Sequence, residues 1–352
     1  MKYTNTNLHV CSEEKFMPSF IDFVAKNFPD ASNVYYIRKK KEKILYNPSA
    51  QDGEENGTIL RGIQDVVMVV RLLYTSKRIV LHGFTNKYVI MFLAMNPRLH
   101  AKCYWSIWGG ELYSFKKRKD IPRKIYEKIF KSKVIGGVGH ILTYVPGDVD
   151  LARKWYGAKG EHIECLMYTS NVVPDKLEKN NRERKPGRLK IMVGNSAAPS
   201  NRHVHVFKKL KKIECNGVCI ISPLSYGDKK YANEVREIGM EIFGQDFQAI
   251  MDFMCYEDYL KFLSDIDIAV FAHDRQQAMG NIIMLLALGK KVYMNKSSTL
   301  SRMLCNTGLT IFDVNELSLE AIGEKERDDN IRIIKEKFNS DVLKHQLRAI
   351  CD

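Results

Sequence analysis

Two polar loops carry residue types suited to gripping an anion. The first, GNSAAPSN from Gly194 to Asn201, follows the apolar run 189–193 and leads directly into a segment of helical period. Glycine, small hydroxyls and Asn at a helix start offer a cradle of backbone N–H groups, strengthened by the positive end of the helix dipole, with Ser200 the expected N-cap. The second, AHDRQQAMGN from Ala272 to Asn281, follows 268–271 and also precedes an apolar helix. Arg275 can neutralise a phosphate there, Gln276 and Gln277 can bond sugar hydroxyls or a ring, and Gly280 allows close backbone approach. Side by side at one sheet edge, the two helix starts would hold a diphosphate. Neither loop reads GxGxxG, and no acidic residue ends a strand about 20 residues on, which argues against a nicotinamide cofactor.

Two further residues could move a proton. His82 closes the run 78–82 in HGF, and Glu111 follows the run 101–107 in WGGELY. If both runs are strands of one sheet, both side chains project from carboxyl ends toward one cleft. Imidazole and carboxylate are the groups suited to deprotonating a hydroxyl near pH 7. Trp108 offers an apolar wall able to raise a neighbouring carboxyl, and Gly109 and Gly110 leave room for a ligand. The plainer reading of a lone strand-end His is a satisfied structural residue.

Positioning these loops requires strands. After about residue 185, short β-branched apolar runs (189–193, 218–222, 249–253, 268–271, 291–294, 309–312) alternate with segments of helical period (201–212, 229–242, 256–264, 280–288, 298–305). Such alternation predicts a parallel sheet covered on both faces, a Rossmann-like doubly wound domain over 189–329. The first half repeats the theme with strands at 8–11, 34–38, 78–82, 101–107 and 140–145 and helices at 13–27, 63–73 and 86–94, giving a second such domain over 1–174. Between them, DKLEKNNRERKPGR (175–188) has the composition of an exposed linker. The tail 330–352 reads as a helix packing back on the first domain. The expected fold class is therefore α/β, two Rossmann-like doubly wound domains facing an interdomain cleft, with ligands beyond the carboxyl ends of the strands.

Length and composition agree with that plan. The chain has 352 residues, 45% of them apolar, enough for two self-sufficient cores and unlike a disordered or fibrous protein. Lys and Arg number 55 against 41 Asp and Glu, leaving +14, and half of that excess sits between Lys116 and Lys133. Ile121, Ile125 and Ile129 recur there every fourth residue beside Tyr126 and Phe130, so the stretch reads as an amphipathic helix. Its cations, Lys116, Lys117, Arg118, Lys119, Arg123 and Lys124 foremost, suit an anionic membrane surface, the bland alternative being a solvated helix face. Nucleic acid is disfavoured, because aromatic RNA-binding sets, zinc fingers and a helix-turn-helix signature are missing. A smaller basic run, 38–43, reads as a turn joining two strands. The eight cysteines are scattered, as in reduced cytoplasmic proteins, and Cys215 with Cys219 forms no zinc motif. The sequence shows neither a signal-peptide stretch nor a run long enough to span a bilayer.

Read together, IWGGELY (107–113), VGNSAAPSN (193–201), the RQQ…G loop with its apolar helix, and VYMN (292–295) resemble bacterial glycosyltransferase family 56, the 4-alpha-L-fucosyltransferase family. HGF at His82 and SPLSYG (222–227) are similar to family positions as well, all in the same order from about residue 80 to about residue 300. The resemblance implies a metal-independent, two-domain GT-B enzyme without a bound cofactor. It would move an amino-6-deoxyhexose from a TDP-sugar to a polyprenyl-diphosphate-linked saccharide. It implies that Gly194, Asn195, Ser196 and Asn201 line the phosphates or the cleft. Arg275, Gln276, Gln277, Gly280 and Asn281 would hold diphosphate and sugar, and Ser222, Pro223 and Tyr226 would border the nucleotide. Glu111 becomes the first choice of general base and His82 the second, with inversion and retention both open. Two rivals remain: a transferase of the same fold using a UDP or GDP sugar, and a non-catalytic basic protein that binds anionic lipid-linked glycans or nucleic acid.

Overall fold

Two parallel sheets organise the chain. The computed structural model describes residues 5–352 apart from 40–41, 49–56, 61, 117–119, 175–176, 178–187 and 214–216. The chain divides into two compact units, Met1–Asn171 with Ser340–Asp352, and Val172–Asn339.

The first unit holds strands β1 (Asn7–Ser12), β2 (Asn33–Arg38), β3 (Lys43–Tyr46), β4 (Gly57–Ile59), β5 (Arg78–His82), β6 (Cys103–Ser106), β7 (His140–Leu142) and β8 (Glu161–Ile163). They lie in the order β4-β3-β2-β1-β5-β6-β7-β8. Every pairing from β2 across to β8 is parallel, while β3 and β4 extend the β2 edge antiparallel. Chain order reverses between β1 and β5, which opens a crevice at their carboxyl ends. Of the basic run 38–43, Arg38 ends β2 and Lys43 begins β3, while residues 40 and 41 lie outside the described residues. β4, β8 and helix Pro146–Tyr156 were not foreseen; β4 and β8 are short edge strands with little apolar signal.

The second unit holds β9 (Leu189–Val193), β10 (Val218–Pro223), β11 (Phe247–Ile250), β12 (Ile268–Phe271), β13 (Lys291–Met294) and β14 (Phe312–Asp313), all parallel, in the order β11-β10-β9-β12-β13-β14. Numbered within the unit this is 3-2-1-4-5-6, with the switch between β9 and β12. The two switch strands are apolar almost throughout because both faces are covered, and all four residues of β12 are buried. Helix Met279–Ala287 is buried nearly all round, so the apolar run 282–288 is a core helix. Phe207, Phe243 and Phe247 meet edge to face, and Gly239 must lack a side chain because a Cβ there would come within 2.4 Å of the Phe247 ring.

The single helix expected over 330–350 is two. Glu324–Lys337 ends at Phe338, whose ring is buried and whose carbonyl accepts from Val173 N–H at 2.8 Å, and Asn339 bonds the Lys335 and Glu336 carbonyls. This helix belongs to the second unit, where Asn330 pairs both ways with the Thr310 backbone. The following helix, Ser340–Cys351, belongs to the first: Gln346 accepts from Leu166 N–H at 2.9 Å, and Leu343, Leu347 and Ile350 are buried. Of the expected linker 175–188, all but Leu177 and Arg188 lie outside the described residues.

Candidate active site

In the second unit the two sequence-singled loops meet at the switch. Gly194 leaves β9 with φ +70° and its N–H on the Val270 carbonyl; a Cβ there would sit 2.5 Å from His203 Nε2, so only glycine fits. Asn195, Ser196 and Asn201 are buried behind it. Gln277 joins the loops: its amide donates to Asn195 Oδ1 (3.1 Å) and Asn201 Oδ1 (3.2 Å), and its carbonyl accepts from Ser200 Oγ (2.7 Å). Asn201 in turn donates to Ser196 O at 2.8 Å. Tyr226, 44% exposed, accepts from Asn195 Nδ2 at 2.9 Å, and its backbone is stitched to Ala197.

Arg275 is half-buried, with Nη2 3.5 Å from Ser200 Oγ. Gln276 has a buried Oε1 without a partner among the described residues. Ala278, in the left-handed region at φ 58°, turns the chain into helix Met279–Ala287, whose N-terminus has no side-chain cap. Its first-turn N–H groups, including those of Gly280 and Asn281, keep their partial positive charge beside Arg275. Asn281 bonds Tyr259. Five conspicuous polar residues, Asn195, Ser200, Asn201, Arg275 and Gln277, thus converge across two loops far apart in sequence.

Two expectations on this unit need correction. Ser222 and Pro223 are buried within β10, Ser222 fully so, because the strand runs one turn of pleat further than its apolar stretch; only Tyr226 reaches the surface. Ser200 is not a helix N-cap: it sits in a 3-10 turn, Pro199–Asn201, and helix His203–Leu210 starts after Arg202, which adopts φ 53°. Arg202 pairs with Asp274, which also accepts from Asn295. His203 and His273 are buried at the same place and were missed, since a lone His carries no signal of burial; desolvation pushes each down to about 4, so both are neutral.

The first unit gives a different picture. His82 is fully buried with both ring nitrogens engaged, Nδ1 at 2.8 Å from Tyr168 OH and Nε2 at 3.0 Å from His9 Nδ1. Burial, then His9, hold it well below the usual imidazole range. It therefore cannot meet a substrate hydroxyl, and the expectation of His82 as a second base is corrected: the β5 end lies under the loop after β6 rather than beside it.

That loop runs from Ile107 through partly exposed Trp108 to Gly109, at φ 85°, and Gly110, which starts a one-turn helix, Gly110–Tyr113. Glu111 Oε1 accepts from Trp108 N–H (2.7 Å) and from the buried Trp105 indole (3.2 Å). Burial raises its carboxyl, while the Trp108 N–H and the Lys131 charge oppose the rise. Lys131, only 3% exposed, is the functional surprise of the basic stretch: its ammonium donates to Glu111 O (2.6 Å), Ser114 Oγ (2.6 Å) and Glu127 Oε1 (3.1 Å). A π-helical turn, Tyr126–Lys131, directs it inward, which no heptad-like pattern reveals.

The other described cations of the basic stretch face out. The stretch is not one helix but Ile121–Ile125, the π turn and Ser132–Gly137. Ile121, Ile125 and Ile129 are 72%, 50% and 54% exposed, and Tyr126 and Phe130 pack inward. Lys116, Arg123 and Lys124 are exposed, while Lys117, Arg118 and Lys119 lie outside the described residues. Among the described residues no three His, Cys, Asp or Glu group to hold a metal ion, all cysteines are free, and no helix is long and apolar enough to cross a membrane.

Comparison with solved structures places this fold. The UDP-forming alpha,alpha-trehalose-phosphate synthase of Burkholderia vietnamiensis superposes with a TM-score of 0.66 at 10% identity, covering 98% of this chain and 99% of that one. Anabaena HepE in complex with UDP and glucose gives 0.63 at 9%, covering 98% and 99%, and sucrose-phosphate synthase of Thermosynechococcus elongatus 0.63 at 11%, covering 98% of each. The two doubly wound units are thus those of the GT-B glycosyltransferase architecture. The family described as 4-alpha-L-fucosyltransferase glycosyl transferase group 56 matches residues 22–339, and the chain belongs to that family of glycosyltransferases.

Proposed function

We propose that the protein transfers an amino-6-deoxyhexose, N-acetylfucosamine-like, from a TDP-sugar to a polyprenyl-diphosphate-linked saccharide in bacterial surface polysaccharide synthesis, without a metal ion. The observation that carries this reading is the β9–β12 switch of the second unit. A guanidinium, an uncapped helix N-terminus and the Gln277-centred amide network converge there, a set matched to a diphosphate and a sugar rather than to a dinucleotide. The orphaned Gln276 Oε1 would gain a donor from a sugar hydroxyl.

In the reaction, the bond from the anomeric carbon to the TDP oxygen breaks and TDP leaves with the electron pair. Arg275 and the N–H groups of helix Met279–Ala287 stabilise the developing charge. The acceptor oxygen forms the new bond to the anomeric carbon, and its proton passes to Glu111, whose carboxyl burial makes more basic than an ordinary carboxylate. The exposed isoleucines beside Lys116, Arg123 and Lys124 would rest on the anionic inner face of the membrane that holds the acceptor. The test is transfer from TDP-, UDP- and GDP-sugars to a short-chain prenyl-diphosphate disaccharide, each with and without EDTA. TDP-dependent, EDTA-insensitive product is expected. Product from UDP- or GDP-sugar alone would replace the donor, and no product from any would leave only a binding role.

A further inference from the structure

The ring atoms of the first unit settle their own protonation states. Asn33 Nδ2 donates to Ala31 O (3.3 Å), so its Oδ1 faces His9 and the contact at 3.1 Å has to be His9 Nε2–H donating. His9, pushed down to about 4 by burial, is neutral, so Nδ1 is an acceptor. The 3.0 Å contact is then His82 Nε2–H donating to it. His82 is neutral too, which leaves its Nδ1 to accept the Tyr168 hydroxyl proton at 2.8 Å. With its proton so committed, the Tyr168 oxygen can only accept, and it does so from the Trp108 indole N–H at 2.6 Å and from the Ser106 hydroxyl at 3.2 Å. Each step leaves one choice for the next. The result is a one-way chain of hydrogen bonds from Trp108 through Tyr168, His82 and His9 to Asn33.

We propose that this buried chain is a positioning relay that fixes the Trp108 indole as one wall of a saccharide subsite at the β1–β5 switch. Trp108 is the member of the chain that reaches the surface; Asn33, His9, His82 and Tyr168 are all buried. Its ring is held in two further ways. Gly83, at φ +63°, lies against the indole so closely that a Cβ would approach Cδ2 and Cε3 to 3.1 Å, and Phe16 meets it edge-on with centroids 5.3 Å apart. The relay itself has no slack, because His9 stacks on Tyr35 at 4.5 Å and Phe20 stands against His82 at 5.2 Å. Two buried imidazoles are a costly way to fill space that two aliphatic side chains would fill, and what they add is direction. With its N–H consumed, Trp108 offers a ligand only ring surface, which suits the C–H face of a pyranose.

This inference rests on the glycosyl-transfer reading for the identity of the ligand, and its test separates the two. The isosteric Tyr168→Phe variant removes the acceptor of the indole N–H. In 15N-tryptophan-labelled protein the Trp108 indole resonance should shift and its hydrogen exchange quicken by about tenfold or more, a readout that needs no substrate. The KM for a short-chain prenyl-diphosphate disaccharide should rise about tenfold while the Kd for TDP stays unchanged. Trp108→Phe should raise the same KM, and the double variant should be no worse than Trp108→Phe alone, since the relay acts through that ring. An unshifted indole signal in Tyr168→Phe, or effects that multiply in the double variant, would overturn the relay. An indole signal that the saturating disaccharide does not move in wild-type protein would overturn the saccharide wall. Absence of transfer by wild-type protein would sink the glycosyl-transfer reading alone, because the relay and wall are read from the indole.

Discussion

The two topological switch points solve the same geometric problem with opposite chemistry. Between β9 and β12 the polar groups are amides, a hydroxyl and a guanidinium, with Ser200, Arg275 and Gln277 partly exposed over the buried Asn195 and Asn201, bonded to one another in a mesh that a ligand can enter by exchanging partners. Between β1 and β5 they are rings, buried and committed in a single direction, with Trp108 the outlet. One switch is built to trade hydrogen bonds, the other to hold a surface still. A strand order alone therefore marks where a site lies and leaves open what the site does.

The contrast can be broken or sharpened by substitution. The largest effect is expected from Glu111→Gln, which keeps an oxygen for Trp108 and Trp105 but removes the base. Turnover should fall about 10³-fold with TDP affinity unchanged, by steady-state kinetics and nucleotide titration. An unchanged turnover would move the proton elsewhere. Next comes acid. His9 has a folded value depressed from 6.5 to about 4, so below pH 6.5 the unfolded chain binds the proton that the folded one refuses. His9 alone should take about 3 kcal/mol from the stability of the first unit as pH drops from 6.5 to 4, with buried His82 adding to the loss, in urea unfolding at a series of pH values. A His9→Gln variant should flatten much of that slope.

Arg275→Ala should lower kcat/KM about 10²-fold and weaken TDP binding, leaving the Trp108 indole signal untouched. Gly194→Ala should cost about 2 kcal/mol, because the backbone is left-handed and the new methyl meets His203. The smallest effect is expected from Ile121→Ser with Ile125→Ser: about tenfold weaker binding to vesicles of anionic phospholipid by sedimentation, with the thermal midpoint unchanged. Equal binding by wild type and variant would remove the isoleucines from any membrane contact.

What the sequence disclosed follows a physical divide. The β9 and β12 loops were legible because a buried strand ending in Gly194 or in HDRQQ places polar atoms where apolar ones would be expected, and the strand–helix alternation that carries them is local. His82 was misread because burial is a property of the neighbours: HGF looks the same whether the next loop lies beside it or over it. The partners that fix its role, His9, Asn33 and Tyr168, stand 73, 49 and 86 residues away. Lys131 was hidden for a related reason. It is one of nine cations in its stretch, and only the π turn distinguishes the one that points inward. The break at Phe338 is likewise set by tertiary packing, since nothing in EKFNSD but Asn339 suggests a helix end.

The central claim, a TDP-sugar site at the β9–β12 switch, is tested most directly by thermal stabilisation of the whole protein and of Arg275→Ala with TDP, UDP and GDP in the presence of EDTA. The account predicts that TDP raises the midpoint of the wild-type protein more than UDP or GDP does, by an amount that EDTA leaves intact and Arg275→Ala largely removes. Equal midpoints with and without every nucleotide, or a TDP shift that survives in Arg275→Ala, would contradict it.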